Sequence, residues 1–195
     1  IGAGPAGLIA GAFAARENCR VDIIDRNEKA GKKLFLTGKG RCNITNSADI
    51  DGFFKQIPHN GRFLFSAFND FFNDDIIRII NSCGVSTKLE RGGRYFPESD
   101  KSSDVIRALT VYVSKCGAKL LLNSRVKSVS CNKGTFTITF FDGTERNYDA
   151  VILATGGVSY SSTGSTGDGY KFAESFGHTI VSPKPSLIPF VTKER

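Results

Sequence analysis

Apolar positions along the chain follow two rhythms, and each predicts a different set of elements. Phe136, Ile138 and Phe140 alternate with Thr135, Thr137 and Thr139, the period of a strand with one buried face. Turn residues bound that strand at Asn132-Lys133-Gly134 and Asp142-Gly143, so a β-meander is expected. A strand at 118–122 precedes it. RVDIID at 20–25 reads as a short buried strand ending in a carboxylate. The unbroken apolar run DAVILA at 149–154 reads as a central parallel strand. Residues 85–97 suggest a hairpin turning at Gly92-Gly93.

The other rhythm is helical. Ala6, Ala10 and Ala14 share a face with Gly7 and Gly11 beside them, a surface small enough to lie close against a sheet. Residues 63–83 read as one helix, with Phe68, Phe72, Ile76, Ile79 or Ile80, and Cys83 spaced by three or four and Gly84 beyond its end. Val105, Ile106, Leu109 and Val113 mark another, with Ser102 or Ser103 as its cap. A last helix opens at 170–176 and closes at Gly177. Residues 29–46 carry glycines and cations without a clean period, and are expected to form a long loop with chemistry in it.

Motifs then change the picture from fold to ligand. Ile1-Gly2-Ala3-Gly4-Pro5-Ala6-Gly7 is a GxGxxG turn with Pro5 at the first helical position. Such a turn brings backbone N–H groups and a helix start to a pyrophosphate. Asp25 stands 18 residues after Gly7, near the spacing of about 20 for a group that binds ribose hydroxyls. Thr155-Gly156-Gly157 forms a second close-approach turn where DAVILA ends, on the edge where ligands lie in open α/β sheets. A second turn following a meander favours FAD over NAD. With one GxGxxG, no separate nicotinamide domain is assigned, and an NADH or NADPH donor would dock near the flavin. Because only Ile1 precedes the turn, the sequence is expected to begin inside the first strand of a larger protein.

Individual side chains carry further expectations. The Arg41 guanidinium suits bidentate pairing with phosphate. Cys42 has no partner cysteine nearby and reads as a structural thiol. Asn43 either caps a turn or donates to flavin carbonyls. Asp168 sits where a helix N-cap and a cofactor contact are compatible. His59 and His178 show no catalytic setting.

Composition narrows the classes. The 195 residues allow one sizeable α/β domain, or one domain and the start of another. The net charge is +7, but the 26 Lys and Arg are scattered, so nucleic acid is not an expected partner. No apolar run approaches the roughly 18 residues of a membrane span, and a membrane is not expected either. Cys19, Cys42, Cys83, Cys116 and Cys131 are odd in number and form no CxxC pair, which points to reduced thiols in the cytoplasm. There is no paired-carboxylate, Ser/His/Asp or metal-ligand constellation. No catalytic side chain and no metal site is assigned, and the hard chemistry falls to a cofactor.

Five segments match one family in order: GAGPAGL at 2–8, TGKGRCNITN at 37–46, GGRYFPESDKSSDV at 92–105, ATGGVSY at 154–160 and GSTGDGYKFAESFGH at 164–178. The chain thereby resembles the FAD-dependent oxidoreductases that include BaiN-like and aminoacetone-oxidase-like flavoproteins. The resemblance implies an α/β, Rossmann-like FAD-binding domain of glutathione-reductase type, its parallel sheet between helices on one face and a β-meander on the other. It implies that Gly2, Gly4, Pro5, Ala6 and Gly7 hold the FAD pyrophosphate, and that Asp25 with Arg26 binds the adenosine ribose. The family usually places Glu at the Asp25 position. Gly40, Arg41, Cys42 and Asn43 would wrap the phosphate-to-flavin side, and Val126 would meet the adenine through its backbone. Ala154, Thr155 and Gly156 would pass beside the cofactor, and Asp168 would reach the flavin end.

The family pattern also divides the chain. Residues 1–184 would be the FAD-binding domain, lacking the start of its first strand and its closing segment, and 185–195 a linker into an inserted domain. The absence of histidine from residues 1–58 favours non-covalent FAD. The activity implied is hydride transfer through flavin N5, between NADH, NADPH or a small organic donor and an unsaturated acceptor or oxygen, on a small-molecule substrate. A flavoprotein acting on tRNA and a non-catalytic dinucleotide-binding module stand as alternatives.

Overall fold

Two short parallel strands form the axis on which the rest is built. In the computed structural model, which describes residues 1–185, β1 (Asp22–Ile24) runs beside β5 (Lys119–Leu121), with Ile23 opposite Leu120 and Ile24 opposite Leu121. Side chains alternate along a strand, so the two pairs feed two different cores. Ile23 is buried with Leu8 and Ala12 of α1 (Pro5–Arg16) and with Val105, Leu109 and Val113 of α6 (Ser102–Lys115). Ile24 is buried with Val126, Val129, Ile138, Phe140 and Phe172. The last five come from β6 (Val126–Asn132), β7 (Thr135–Phe140) and α7 (Asp168–Ser175). With β8 (Glu145–Tyr148), strands β6 and β7 form the antiparallel meander. The layers are therefore helices, parallel sheet and meander, as the resemblance implied.

A smaller antiparallel sheet stands apart. β3 (Thr87–Glu90) and β4 (Arg94–Pro97) form the expected hairpin, and β2 (Thr45–Asn46) pairs with the other edge of β4. Gly92 and Gly93 both have positive φ, 79° and 71°, the left-handed geometry the turn requires. α3 (Ile50–Lys55) is capped by Asp49, whose carboxylate accepts the Gly52 N–H at 2.8 Å.

Four local expectations change. The apolar run 149–154 is extended but forms no strand ladder. The Ile1 amino group donates to the Ile152 carbonyl at 2.7 Å, and the Ala154 N–H to the Ile1 carbonyl at 2.8 Å. With Ile1 alone beside it, Ile152 and Leu153 are 54% and 38% exposed. The single helix expected over 63–83 is a short 3-10 turn, then α4 (Phe65–Asp70) and α5 (Asn73–Ser82). Phe71 is extended between them, and the Asp75 carboxylate accepts the Phe72 N–H at 2.7 Å, restarting the helix.

Residues 29–46 are not only loop, because α2 (Lys32–Leu36) forms within them. Ser102 does not cap α6. Its hydroxyl is buried and donates to the Phe35 carbonyl at 3.0 Å, while Lys101 holds the cap position. The segment 185–195 lies outside the described residues except for Pro185. All five cysteines are free thiols. Among the described residues, no helix is long and apolar enough to cross a membrane.

Candidate functional site

The three glycines of the first turn do three different things. Gly2 has φ +110°, and a Cβ there would stand 2.3 Å from the Ala154 carbonyl oxygen. The first glycine turn and the chain entering the second are thus in backbone contact on one sheet edge. A Cβ on Gly7 would stand 1.8 Å from the Gly2 carbonyl oxygen, so Gly7 lets α1 pack onto the turn. A Cβ on Gly4 would meet nothing within 4 Å. That open side is the approach a phosphate needs. Gly4 is also the N-cap of α1 and offers no side chain to it. Pro5 has no N–H, and the Leu8 N–H is the first to turn back, to Gly4. The Ala6 and Gly7 N–H groups thus have no acceptor among the described residues, and the helix start carries partial positive charge.

Asp25 ties this turn to the next loop. Its Oδ2 accepts the Ala3 N–H at 2.6 Å, and its Oδ1 accepts the Asn27 N–H at 2.8 Å. Each oxygen keeps a lone pair for a ligand hydroxyl. Arg26 donates to Thr166 Oγ1 at 2.9 Å and to Asp168 Oδ2 at 3.1 Å. Asn27 Nδ2 donates to the Thr163 carbonyl at 3.1 Å. The loop before α7 is thereby drawn over the end of β1. Beneath it lies a cavity of about 240 Å³, whose lining includes Gly2, Gly4, Asp25, Val126, Ala154, Thr155 and Gly156. Whole-ligand pockets typically run from ~300 to 1,000 Å³, so this one is smaller than a site that encloses a whole drug-sized ligand.

Of the residues expected at the cofactor, Gly2, Gly4, Pro5, Ala6, Asp25, Arg26, Val126, Ala154, Thr155, Gly156 and Asp168 line this one cavity. Gly7 supports it from behind. Asp168, expected at the flavin end, is ion-paired with Arg26, expected at the adenosine ribose, so the structure places these two residues side by side in the cavity wall.

The residues Gly40, Arg41, Cys42 and Asn43 do not line the cavity. The Arg41 guanidinium donates to Glu90 and, at 2.9 and 2.7 Å, to Asp100 Oδ1, and it stacks 4.2 Å from the centre of the Phe96 ring. Lys88 completes the cluster with a 2.9 Å bond to Asp100. The Arg41 hydrogen bond holds the Glu90 carboxyl below its ordinary range, and Lys88, then Arg41, do the same for Asp100. Two carboxylates satisfy the guanidinium expected to clamp phosphate. Its role here is to join the β3–β4 hairpin to the segment before α6. The Cys42 side chain is fully buried in the helical core, and burial pushes its thiol pKa up. Asn43 is exposed, and its side chain makes no hydrogen bond among the described residues.

Sequence reasoning missed Lys33 and Ser165. Both line the cavity, and both come close to where a Cβ on Gly156 would be, at 4.0 Å (Lys33 Nζ) and 3.1 Å (Ser165 Oγ). The signal was present in Gly31-Lys32-Lys33, since a left-handed Gly31 (φ +68°) starts α2. A second, apolar concavity of about 490 Å³ begins on the other side of Pro5 and Ala6, lined by Phe13, Phe53, Phe68, Phe71 and Phe72.

Comparison with known proteins finds one matching family and several similar proteins. The family described as the HI0933-like protein Rossmann domain matches residues 1–185. The chain is 34% identical over 197 residues to a 3-dehydro-bile acid delta(4,6)-reductase of Clostridium scindens, covering 100% of the chain and 47% of that protein. It is 32% identical over 198 residues to a ribosomal RNA dihydrouridine synthase of Haemophilus influenzae, covering 100% of the chain and 48% of that protein. The chain thus spans about half the length of these curated relatives. Among solved structures, Thermovibrio ammonificans THI4 superposes with a TM-score of 0.59 at 16% identity, over 91% of this chain and 60% of that one. At that identity the likeness speaks for the fold alone.

Proposed function

The chain belongs to the HI0933-like Rossmann-domain family, and from that membership we propose that it is the dinucleotide-holding part of an FAD-dependent oxidoreductase. One observation carries the reading. Two glycine turns far apart in sequence meet on one sheet edge, around a cavity that leaves open space beside Gly4, where a Cβ would meet nothing within 4 Å. The free Ala6 and Gly7 N–H groups would bind the pyrophosphate. Asp25, already fixed by two backbone N–H groups, would accept from the adenosine ribose, with Val126 along the adenine. FAD, when bound, supplies hydride transfer through N5 between NADH, NADPH or a small organic donor and an unsaturated acceptor or oxygen. The protein's part is to orient and to exclude water.

Two features favour a small, flat, apolar substrate. The aromatic concavity meets the cradle at Pro5 and Ala6, and one relative is named for reducing a bile acid. A second reading, action on RNA, draws support from two relatives named as ribosomal RNA dihydrouridine synthases and from the +7 charge. An absorbance scan of the purified protein with FAD, followed by anaerobic titration with NADH and NADPH, tests the main reading. It expects a flavin spectrum that bleaches with one of the two donors. RNA binding that falls steeply with salt would move the substrate to the second reading, and failure to bind any flavin would overturn both.

A further inference from the structure

Building on the FAD reading, we infer that Lys33 is the cation that neutralises the dinucleotide's diphosphate, the part that the sequence suggested for Arg41. α2 is pinned at its start, because the Gly31 N–H donates to the Ala3 carbonyl at 2.8 Å. This fixes Lys33 two residues on from a direct bond to the phosphate-approach turn. Its side chain crosses to the second glycine turn, where Nζ comes within 4.0 Å of the site of a Cβ on Gly156. Lys33 is half-buried in the cavity wall. Among the described residues, it has no hydrogen-bond acceptor and no carboxylate within the 4.0 Å of an ion pair.

The neighbouring cations are already engaged. Arg26 is held by Asp168 and Thr166, Lys32 reaches Glu28 at 3.4 Å, and Arg125 lies over the Phe141 ring at 4.1 Å. Lys33 is left without an anion among the described residues, and the unsatisfied Ala6 N–H belongs to a residue lining the same cavity, with that of Gly7 next to it in the helix start. Ammonium and amides together define a site for a diphosphate.

Calorimetric titration with ADP and with adenosine tests this on the purified protein, with no dependence on turnover. Lys33→Gln should weaken ADP at least tenfold, leave adenosine unchanged, and melt at the wild-type temperature. Lys33→Arg should recover most of the ADP affinity. Unchanged ADP affinity in Lys33→Gln, or an equal loss for ADP and adenosine, would overturn the assignment while leaving the FAD reading in place. A wild-type protein that binds neither ADP nor FAD would overturn that reading itself.

Discussion

Two alanines three residues apart should separate ligand binding from folding. At Gly4, φ is −77° and ψ 177°, a conformation open to any residue, and the added methyl meets no protein atom. Alanine there gains ~0.4–1 kcal/mol by restricting the unfolded chain and loses a comparable ~0.5–1 kcal/mol as a poor helix cap. The melting temperature should stay within ~2 °C. The methyl would nonetheless occupy the phosphate approach, so ADP affinity should fall by more than tenfold. At Gly7 the added methyl would stand 1.8 Å from the Gly2 carbonyl oxygen and 3.3 Å from the Ala154 Cβ. α1 must then move by more than 1 Å to restore ordinary contact distances of ~3.5 Å. Overpacking of this kind costs ~3 kcal/mol, and the helix preference for alanine returns ~1 kcal/mol. The net ~2 kcal/mol lowers the melting temperature by ~4–8 °C. Thermal melts by circular dichroism, paired with ADP titration, read both effects. If Gly4→Ala binds ADP as the wild type does, or Gly7→Ala melts where the wild type melts, the division of labour argued for the turn is wrong.

Other consequences lie away from the turn. Glu90 and Asp100 have folded-state pKa values below their ordinary 4.5 and 3.8, so their stabilisation is full above about pH 5 and drains as pH falls through the lowered values. Arg41→Gln should therefore melt earlier at neutral pH and show a shallower loss of melting temperature on acidification, with ADP affinity unchanged while folded. Burial, aided by its 2.8 Å hydrogen bond to Asp22, pushes the Tyr148 hydroxyl up to about 12. An ultraviolet alkaline titration should show one tyrosine ionising about two pH units after an ordinary one, and Tyr148→Phe should remove that late step. Asp75→Ala removes the acceptor that restarts the helix at α5; it should cost ~1 kcal/mol, read as a melting temperature lower by ~2–4 °C.

What the sequence showed, and what it hid, follows from how local each interaction is. The meander was legible because period-two alternation and its turns lie within a few residues of one another. The glycine turn was legible because each glycine answers to backbone geometry. Other features depended on distant chain. DAVILA has a strand's composition, but among the described residues its inter-segment backbone bonds go to Ile1 alone, one residue where a ladder needs a run. The break at Phe71–Phe72 hid inside an unbroken helical period, since α4 and α5 keep the same apolar spacing on either side of it. Ser102 looked like a cap until Phe35 offered a carbonyl from 67 residues away. Arg41 looked free for phosphate because its carboxylates lie 49 and 59 residues further on. Lys33 was passed over because its segment shows no period, and its importance arises only where α2 meets the second turn.

On the proposed FAD reading, one dinucleotide lies between the two glycine turns, its adenosine end at Asp25 and Val126. Photolabelling with a light-activated azido-ADP, followed by peptide mapping, tests this most directly. Label should fall on peptides spanning 124–126 or 163–168 and be displaced by FAD. Label concentrated on the aromatic segment 53–72, or insensitive to FAD, would contradict it.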